Sequence, residues 1–399
     1  MSKYKPLFVT NTARSGSYLI SMMLSTNKDV MVASEPYLEL FRALRRALVN
    51  NGANAELRSA FDSNAPMQDY YFDPKRIALM DVIQSGEIDV PFDFEEKEWE
   101  SFVEVSKNRV SLQCKELASR IPDIRGNTYR EMFDNALKIV ADARQVEDRK
   151  WVGIKDAWVI EFFAPLARAY PDAKFIIIVR DPRAVINSHL GGIHKEPEAA
   201  ASVISYARCW RKHAAFAHHY SNDPLFDGRL FVMTHEEFLR HPEKVSKECC
   251  SFLDVEFDAA MLNTNNYHDY STGTIWKGNS SFEETTSGIS LHRAERWKKS
   301  LDSKVLKMIE FMCGPEMKLF GFEPIQKNES WPDPEVLNCM LEDNARCKEY
   351  CNWRTDFNDP QKDFGYELFR HALLNRGRSD NKDLIRRSFL FKDIFEASL

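Results

Sequence analysis

The residues Thr12-Ala-Arg-Ser-Gly-Ser-Tyr18 are of the types an anion site needs, and they sit between two apolar runs. Leu7-Phe-Val9 precedes them, and Leu19-Ile20 with Met22-Met23-Leu24 follows. The pattern predicts a buried strand, a tight loop and a helix starting near Ser17. A helix entered from a strand presents unpaired backbone N–H groups and the positive end of its dipole, which suits phosphate or sulfate. Arg14 adds a fixed positive charge, and Ser15 and Ser17 add hydroxyl donors. A Walker-type loop would carry Gly-Lys-Ser/Thr, and this segment has no lysine. Alone, it reads equally as an ordinary strand–helix turn capped by serine.

Elements further along the chain supply company for this loop. Short apolar runs at residues 29–33, 151–154, 174–179 and 229–234 predict four more strands, ending near Glu35, Lys155, Arg180 and His235. Helical spacing covers residues 37–49 and 129–146. A further helical segment reaches Tyr170 with an expected break at Pro165. Asp181-Pro182 is a helix start, its helix expected to stop at Gly191-Gly192. Another helix spans about 199–219. Strands alternating with helices predict an α/β fold: a doubly wound sheet of about five mainly parallel strands, with helices on both faces. Residues 50–127 show no clear strand and read as a helical lid insert. After Pro324 the pattern becomes charged and helical. The expected division is a domain over 1–324 with a helical C-terminal extension over 325–399.

In an open parallel sheet the carboxyl ends of the strands line the ligand crevice. Arg14, Glu35, Lys155, Arg180 and His235 would then converge on one edge. Strands often finish at polar residues on reaching solvent, which accounts for one or two cases but not readily for five. The set favours a polyanionic ligand beside a carboxylate able to act as a base.

The loop Thr12–Tyr18, taken with Asp172-Ala-Lys-Phe-Ile-Ile-Ile-Val-Arg-Asp-Pro-Arg-Ala-Val-Ile-Asn-Ser188, resembles the sulfotransferases. That family uses 3′-phosphoadenosine 5′-phosphosulfate (PAPS) as sulfuryl donor and releases PAP. The resemblance implies a P-loop-like sheet. It also implies a 5′-phosphosulfate loop of Arg14, Ser15, Gly16, Ser17 and Tyr18, and a 3′-phosphate site of Arg180 and Ser188. Gly153-Ile-Lys-Asp156 is similar to an element of tyrosylprotein and carbohydrate sulfotransferases. The stretch Leu230–Pro242 resembles a family segment with His235 where tyrosine is usual. Trp276-Lys-Gly-Asn-Ser-Ser-Phe282, followed by Arg296-Trp-Lys-Lys299, resembles the late loop that closes over the donor, bringing in Lys277, Ser280, Ser281 and Arg296.

By the same resemblance Glu35 is the base for an acceptor hydroxyl. Arg14 and Lys155 stabilise the transferring sulfuryl group and the bridging oxygen, and Ser280 or Ser281 donates to the same oxygens, Ser281 being favoured. The histidines 189, 194, 213, 218 and 219 are alternative bases for which solvated or capping roles are expected. The implied activity is sulfuryl transfer to a carbohydrate or small-molecule hydroxyl. A P-loop nucleotide or small-molecule kinase and a silent PAPS/PAP-binding protein stand as alternatives. No metal is implied.

Composition bounds these readings. A net charge of −6 over 399 residues gives no global sign of a nucleic-acid binder. No apolar run approaches transmembrane length, and since Met-Ser-Lys-Tyr-Lys-Pro runs directly into the first strand, neither a signal peptide nor an N-terminal anchor is expected. The eight cysteines are irregularly spaced and are expected to be reduced, in the cytoplasm. Cys339, Cys347 and Cys351 share a helix face without a fourth ligand at zinc spacing. Tyr70, Tyr71, Phe72, Phe92 and Trp99 either stack on an acceptor or form the lid's own core. The oligomeric state is open, a homodimer among the options.

Overall fold

The computed structural model describes residues 4–63, 74–144, 148–193, 203–270, 272–276, 288–325, 334–350 and 360–399. Five strands form one sheet: β1 (Lys5–Asn11), β2 (Val30–Ser34), β3 (Trp151–Ala157), β4 (Lys174–Val179) and β5 (Leu230–Thr234). Their order is β2-β3-β1-β4-β5, and every neighbouring pair is parallel. The chain leaves β1 toward β2 on one side and leaves β4 toward β5 on the other. The crevice between diverging connections therefore opens beside the carboxyl end of β1. A short antiparallel pair, β6 (His268–Asp269) with β7 (Thr274–Ile275), stands apart.

Period-two side-chain alternation sends the strands' residues to two cores. Leu7, Val9, Ile176 and Ile178 join Leu19, Met23, Cys249 and Leu253 from the helices Ser17–Thr26 and Pro242–Leu253. Phe8, Phe175, Ile177 and Val179 join Leu44, Phe133 and Phe216 from the helices Leu38–Gly52, Tyr129–Ala143 and Val203–Ser221. With both faces apolar, the sheet must be covered on both sides, as parallel sheets are.

Local differences from the sequence reading have local causes. The helix Pro182–Ile193 runs through Gly191-Gly192 rather than stopping there. Glycine costs only about 1 kcal/mol in a helix interior, so it does not dictate an end. Pro165 does not break its segment either. It falls in the first turn of the helix Phe163–Ala169, where a missing N–H costs nothing, and the change of path comes earlier, at the 3₁₀ turn Ile160–Phe162.

Between residues 50 and 127 the described residues form the helices Ala55–Ser59, Pro74–Ser85 and Glu96–Gln113 and a 3₁₀ run, Lys115–Ile124. Trp99 and Phe102 belong to the same core as the sheet, with Phe92 and Phe94 packed against it. Phe92 and Trp99 are thus core rings, while Tyr70, Tyr71 and Phe72 lie outside the described residues. Met340, Leu373, Phe389 and Phe395 of the C-terminal helices enter that core too.

Candidate active site

β1 ends at Asn11, and the chain turns through a loop held by the Ser15 N–H on the Thr12 carbonyl at 3.3 Å. The Thr12 and Ser15 hydroxyls hydrogen-bond at 2.6 Å. Ser15 is fully buried, so its hydroxyl braces the loop instead of facing the cleft. Arg14 and Gly16 take left-handed backbone, with φ of 67° and 74°. Gly16 is the N-cap of the helix beginning at Ser17, and no side chain caps its amides. A Cβ at Gly16 would come 2.2 Å from His235 Nε2, so glycine is needed for both conformation and space.

Glu35 follows β2 in left-handed backbone, φ 56°. Its N–H donates to the Lys155 carbonyl at 2.5 Å, and its carboxylate accepts from Lys155 Nζ at 2.8 Å. Lys155 lies within β3, which continues to Ala157, so the lysine rises from a buried strand rather than from its end. Its side chain is 1% exposed and that of Glu35 30%, so the pair meets the cleft through the carboxylate. Lys155, together with its hydrogen bond, holds the Glu35 carboxyl below the usual carboxylate range against the opposing effect of burial. Next to it, burial and the charge of Glu35 push the Asp156 carboxyl up to about 8. Asp156 Oδ2 accepts the Tyr37 N–H at 3.3 Å.

Across the cleft, Arg14 Nε donates to Ser188 Oγ at 3.0 Å. Arg180 Nη1 donates to the Arg14 carbonyl at 2.5 Å, and Trp210 Nε1 donates to the Arg180 carbonyl at 2.7 Å. The two motifs, separated by more than 150 residues of chain, are thus joined by side chains. The cleft has a volume of ≈ 270 Å³. Arg14, Gly16, Ser17, Tyr18, Glu35 and Lys155 line it, as do Arg180, Ser188, His235 and Arg296. Tyr18 is anchored by its hydroxyl on Asp269 Oδ1 at 2.6 Å. Lys277, Ser280 and Ser281 lie outside the described residues.

Two histidines depart from the solvated or capping roles expected of them. His189 stacks on Tyr206 at 3.7 Å, and burial drives its pKa to about 3. His213 is buried against the Ile178 carbonyl at 3.2 Å and is likewise lowered to about 3. Burial thus disfavours the charged form of both rings, and each makes a backbone hydrogen bond, His189 with Ala13 and His213 with Ile178. His219 pairs with Asp393 at 3.1 Å, far along the helix. His194 falls outside the described residues, as do Cys351 and the side chain of Cys347. Among the described residues no cluster of His, Cys, Asp or Glu has the form of a metal site.

Gln113, Asn187 and Trp297 also line the cleft and were not foreseen. Gln113 ends a helix of the insert and belongs to no motif. Asn187 had a signal, since it precedes Ser188 on the same helix, and Ser300 Oγ donates to its Oδ1 at 3.0 Å. Glu236, buried beside Arg180 and Asp181, is pushed up to about 7 by burial and accepts the Asp181 N–H at 3.2 Å.

A parallel doubly wound sheet with a glycine-containing strand-to-helix loop after its first strand, and basic groups at the neighbouring strand ends, is the frame that carries the cleft. The chain belongs to the sulfotransferase family, whose model matches residues 6–259. It is 22% identical over 194 residues to a protein-tyrosine sulfotransferase of Drosophila melanogaster, covering 48% of this chain and 38% of that protein. It is 24% identical over 181 residues to carbohydrate sulfotransferase 3 of Tetronarce californica, covering 42% of this chain and 40% of the relative. A solved sulfotransferase domain of the Synechococcus PCC 7002 olefin synthase superposes with a TM-score of 0.41 at 16% identity, covering 78% of this chain and 95% of that one. The chain spans well under two thirds of the length of the two curated relatives. Among the described residues no helix is long and apolar enough to cross a membrane.

Proposed function

We propose that this protein transfers a sulfuryl group from PAPS to a hydroxyl of a carbohydrate or small-molecule acceptor, by in-line displacement. The observation that carries the reading is the Glu35–Lys155 pair, 2.8 Å apart, in the same cleft as the Arg14–Ser188 contact and Arg180. A base and a set of cations share one cleft, as transfer of an anionic group from an anionic donor requires.

The donor supplies an electrophilic sulfur and a phosphate leaving group. Arg180 and Ser188 hold its 3′-phosphate, and Gly16 and Ser17 offer helix N-terminal donors to the 5′ end. Glu35 takes the acceptor's proton as the acceptor oxygen bonds to sulfur. The bond from sulfur to the bridging oxygen breaks, and Lys155 compensates the negative charge left on that oxygen, giving PAP and the sulfate ester. Lys277, Ser280, Ser281 and Arg296 complete the donor site in this proposal, Ser281 beside the transferring oxygens. No residue in the scheme requires a metal.

Location in a reducing cytoplasm and the 1–324 domain with its 325–399 extension belong to the same proposal. Thermal shift with PAP and with ATP tests the donor, and stabilisation by PAP alone is expected. ATP stabilising more than PAP would instead favour a kinase. Labelled PAPS offered with a panel of carbohydrate and phenolic hydroxyls then tests transfer, and PAP binding without transfer to any of them would leave a silent binder.

A further inference from the structure

We infer that Gln113, at the end of an insert helix, determines acceptor specificity: its carboxamide binds a hydroxyl next to the one that reacts, so the acceptor is an uncharged, polyhydroxylated molecule of the carbohydrate class. The inference rests on the donor and base reading above.

Among the described residues, Gln113 is the one contribution of the 50–127 segment to the cleft. It is the last residue of the helix Glu96–Gln113 and is half-buried. Its neighbours fix this helix end beside the candidate base. Cys114 donates from Sγ to the Ser34 carbonyl at 3.2 Å, and Ser34 closes β2 directly before Glu35. Arg109, one turn before Gln113 on the same helix face, donates through Nη1 to Glu39 Oε1 at 3.2 Å. Glu39 lies on the helix Leu38–Gly52, which follows Glu35. Arg109 is also the second charge acting on the Glu35 carboxyl, after Lys155 and ahead of Arg14. The insert thus borders Glu35 from outside the sheet, and Gln113 is the side chain it presents to the cleft.

A carboxamide is neutral and both donates, through Nε2, and accepts, through Oε1, the pattern that a hydroxyl answers. The donor's anionic groups are met in this cleft by Arg14, Lys155, Arg180 and Arg296, and a neutral amide adds no counter-charge to them. Gln113 closes a helix of 18 residues with no basic residue in its last turn. The negative end of that helix dipole disfavours an anion and favours hydroxyl protons. Arg109, the cation on the same face, is already paired with Glu39. A phenol or simple alcohol would give Glu35 its one hydroxyl and leave Gln113 against apolar atoms, an amide desolvated without a partner. A sugar ring carries a second hydroxyl one carbon from the first, and that group pairs with Gln113 while Glu35 takes the reacting proton.

The experiment pairs a protein change with a ligand change. The wild type, Gln113→Leu and Gln113→Ala are supplied with PAPS and a panel of methyl glycosides with their monodeoxy analogues. 4-Nitrophenol, 2-naphthol and an acidic tyrosine-containing peptide complete the panel. The wild type is expected to sulfate at least one glycoside in preference to the phenols and the peptide. Removing the hydroxyl beside the reacting one should lower kcat/KM by roughly 5- to 50-fold, chiefly through KM. Gln113→Leu should lose a similar factor on the parent glycoside and less than about twofold on that deoxy analogue, with PAP binding by calorimetry unchanged. A glutamine that merely faces solvent would leave both acceptors unaffected. That result, or equal losses on the parent and on every deoxy analogue, overturns the inference. Preferred transfer to the phenols or the peptide, or PAP binding with transfer to no glycoside, overturns it while the donor reading stands. A wild type that does not bind PAP removes the donor reading and this inference with it. If Gln113→Leu does not fold, as judged by its thermal melt, the same comparison with Gln113→Ala decides.

Discussion

Glu35 is held as a carboxylate by a lysine that is itself almost wholly buried, and that pairing sets its chemistry. Its folded pKa lies below the ordinary 4.5, so the basic form persists as pH falls and is lost only below that value. The acid limb of kcat/KM, which reports the free enzyme, is therefore expected below 4.5. Replacing Lys155 with Met should move it upward. Glu35→Gln should keep PAP binding and lower kcat by about 10²- to 10⁴-fold, the usual worth of a general base. Retained turnover in that variant would remove Glu35 from the mechanism. Asp156 has the opposite sign. Its folded pKa is raised from 3.8 to about 8, so the folded state holds a proton that the unfolded state releases, and stability falls as pH rises through that interval. Asp156→Asn, neutral throughout, should melt with a flatter pH dependence than the wild type; an unchanged slope would show that Asp156 is ionised in the fold.

At the scale of elements, the strand-to-helix loop depends on two left-handed residues in close succession, Arg14 and Gly16. Gly16→Ala meets both a backbone conformation that L-residues disfavour and the His235 ring 2.2 Å from the new Cβ. The expected result is a loss of roughly 1 kcal/mol or more in stability, with PAP binding weakened at least tenfold. Adding His235→Ala should recover only the steric part. If Gly16→Ala binds PAP as the wild type does, the loop is not the donor cradle. Legibility followed the same line. The five strands of the large sheet were readable because a parallel strand buried on both faces reads as a continuous apolar run, as Lys174–Val179 shows, whereas the two-residue strands β6 and β7 carry no such run. The exit from the Pro182–Ile193 helix was not readable, because the cost of glycine there is smaller than the packing that overrides it.

At the scale of the whole molecule, the C-terminal helices are fastened by charge as well as by apolar contact. Glu367, fully buried, accepts from Arg211 at 2.6 Å and from Arg208 at 3.1 Å. Arg370 pairs with Glu316 at 2.5 Å, also fully buried. Asp343 accepts the Val203 and Ile204 N–H groups at 2.9 and 3.0 Å, capping the helix that carries Trp210 and Tyr206. The extension thereby reaches, through one helix, the groups behind Arg180 and His189. Glu367→Gln removes the charge of a fully buried carboxylate shared by two guanidiniums and should destabilise the fold by a few kcal/mol (on the order of 3), seen as a marked drop in melting temperature. A melt within a degree or so of the wild type would mean that the pair is solvated and the tail loosely attached.

What the sequence by itself determined was local: the apolar runs, the loop chemistry of Thr12 to Tyr18, and the Arg180–Ser188 spacing on one strand–helix unit. These follow from neighbours a few residues apart, which is the range over which periodicity and capping act. Tertiary structure alone decided that Arg14 reaches Ser188, that Lys155 pairs with Glu35, and that Ser15 turns away from the cleft. Each of these joins or separates side chains through the order of strands in the sheet, and no local pattern encodes a contact between residues 174 positions apart.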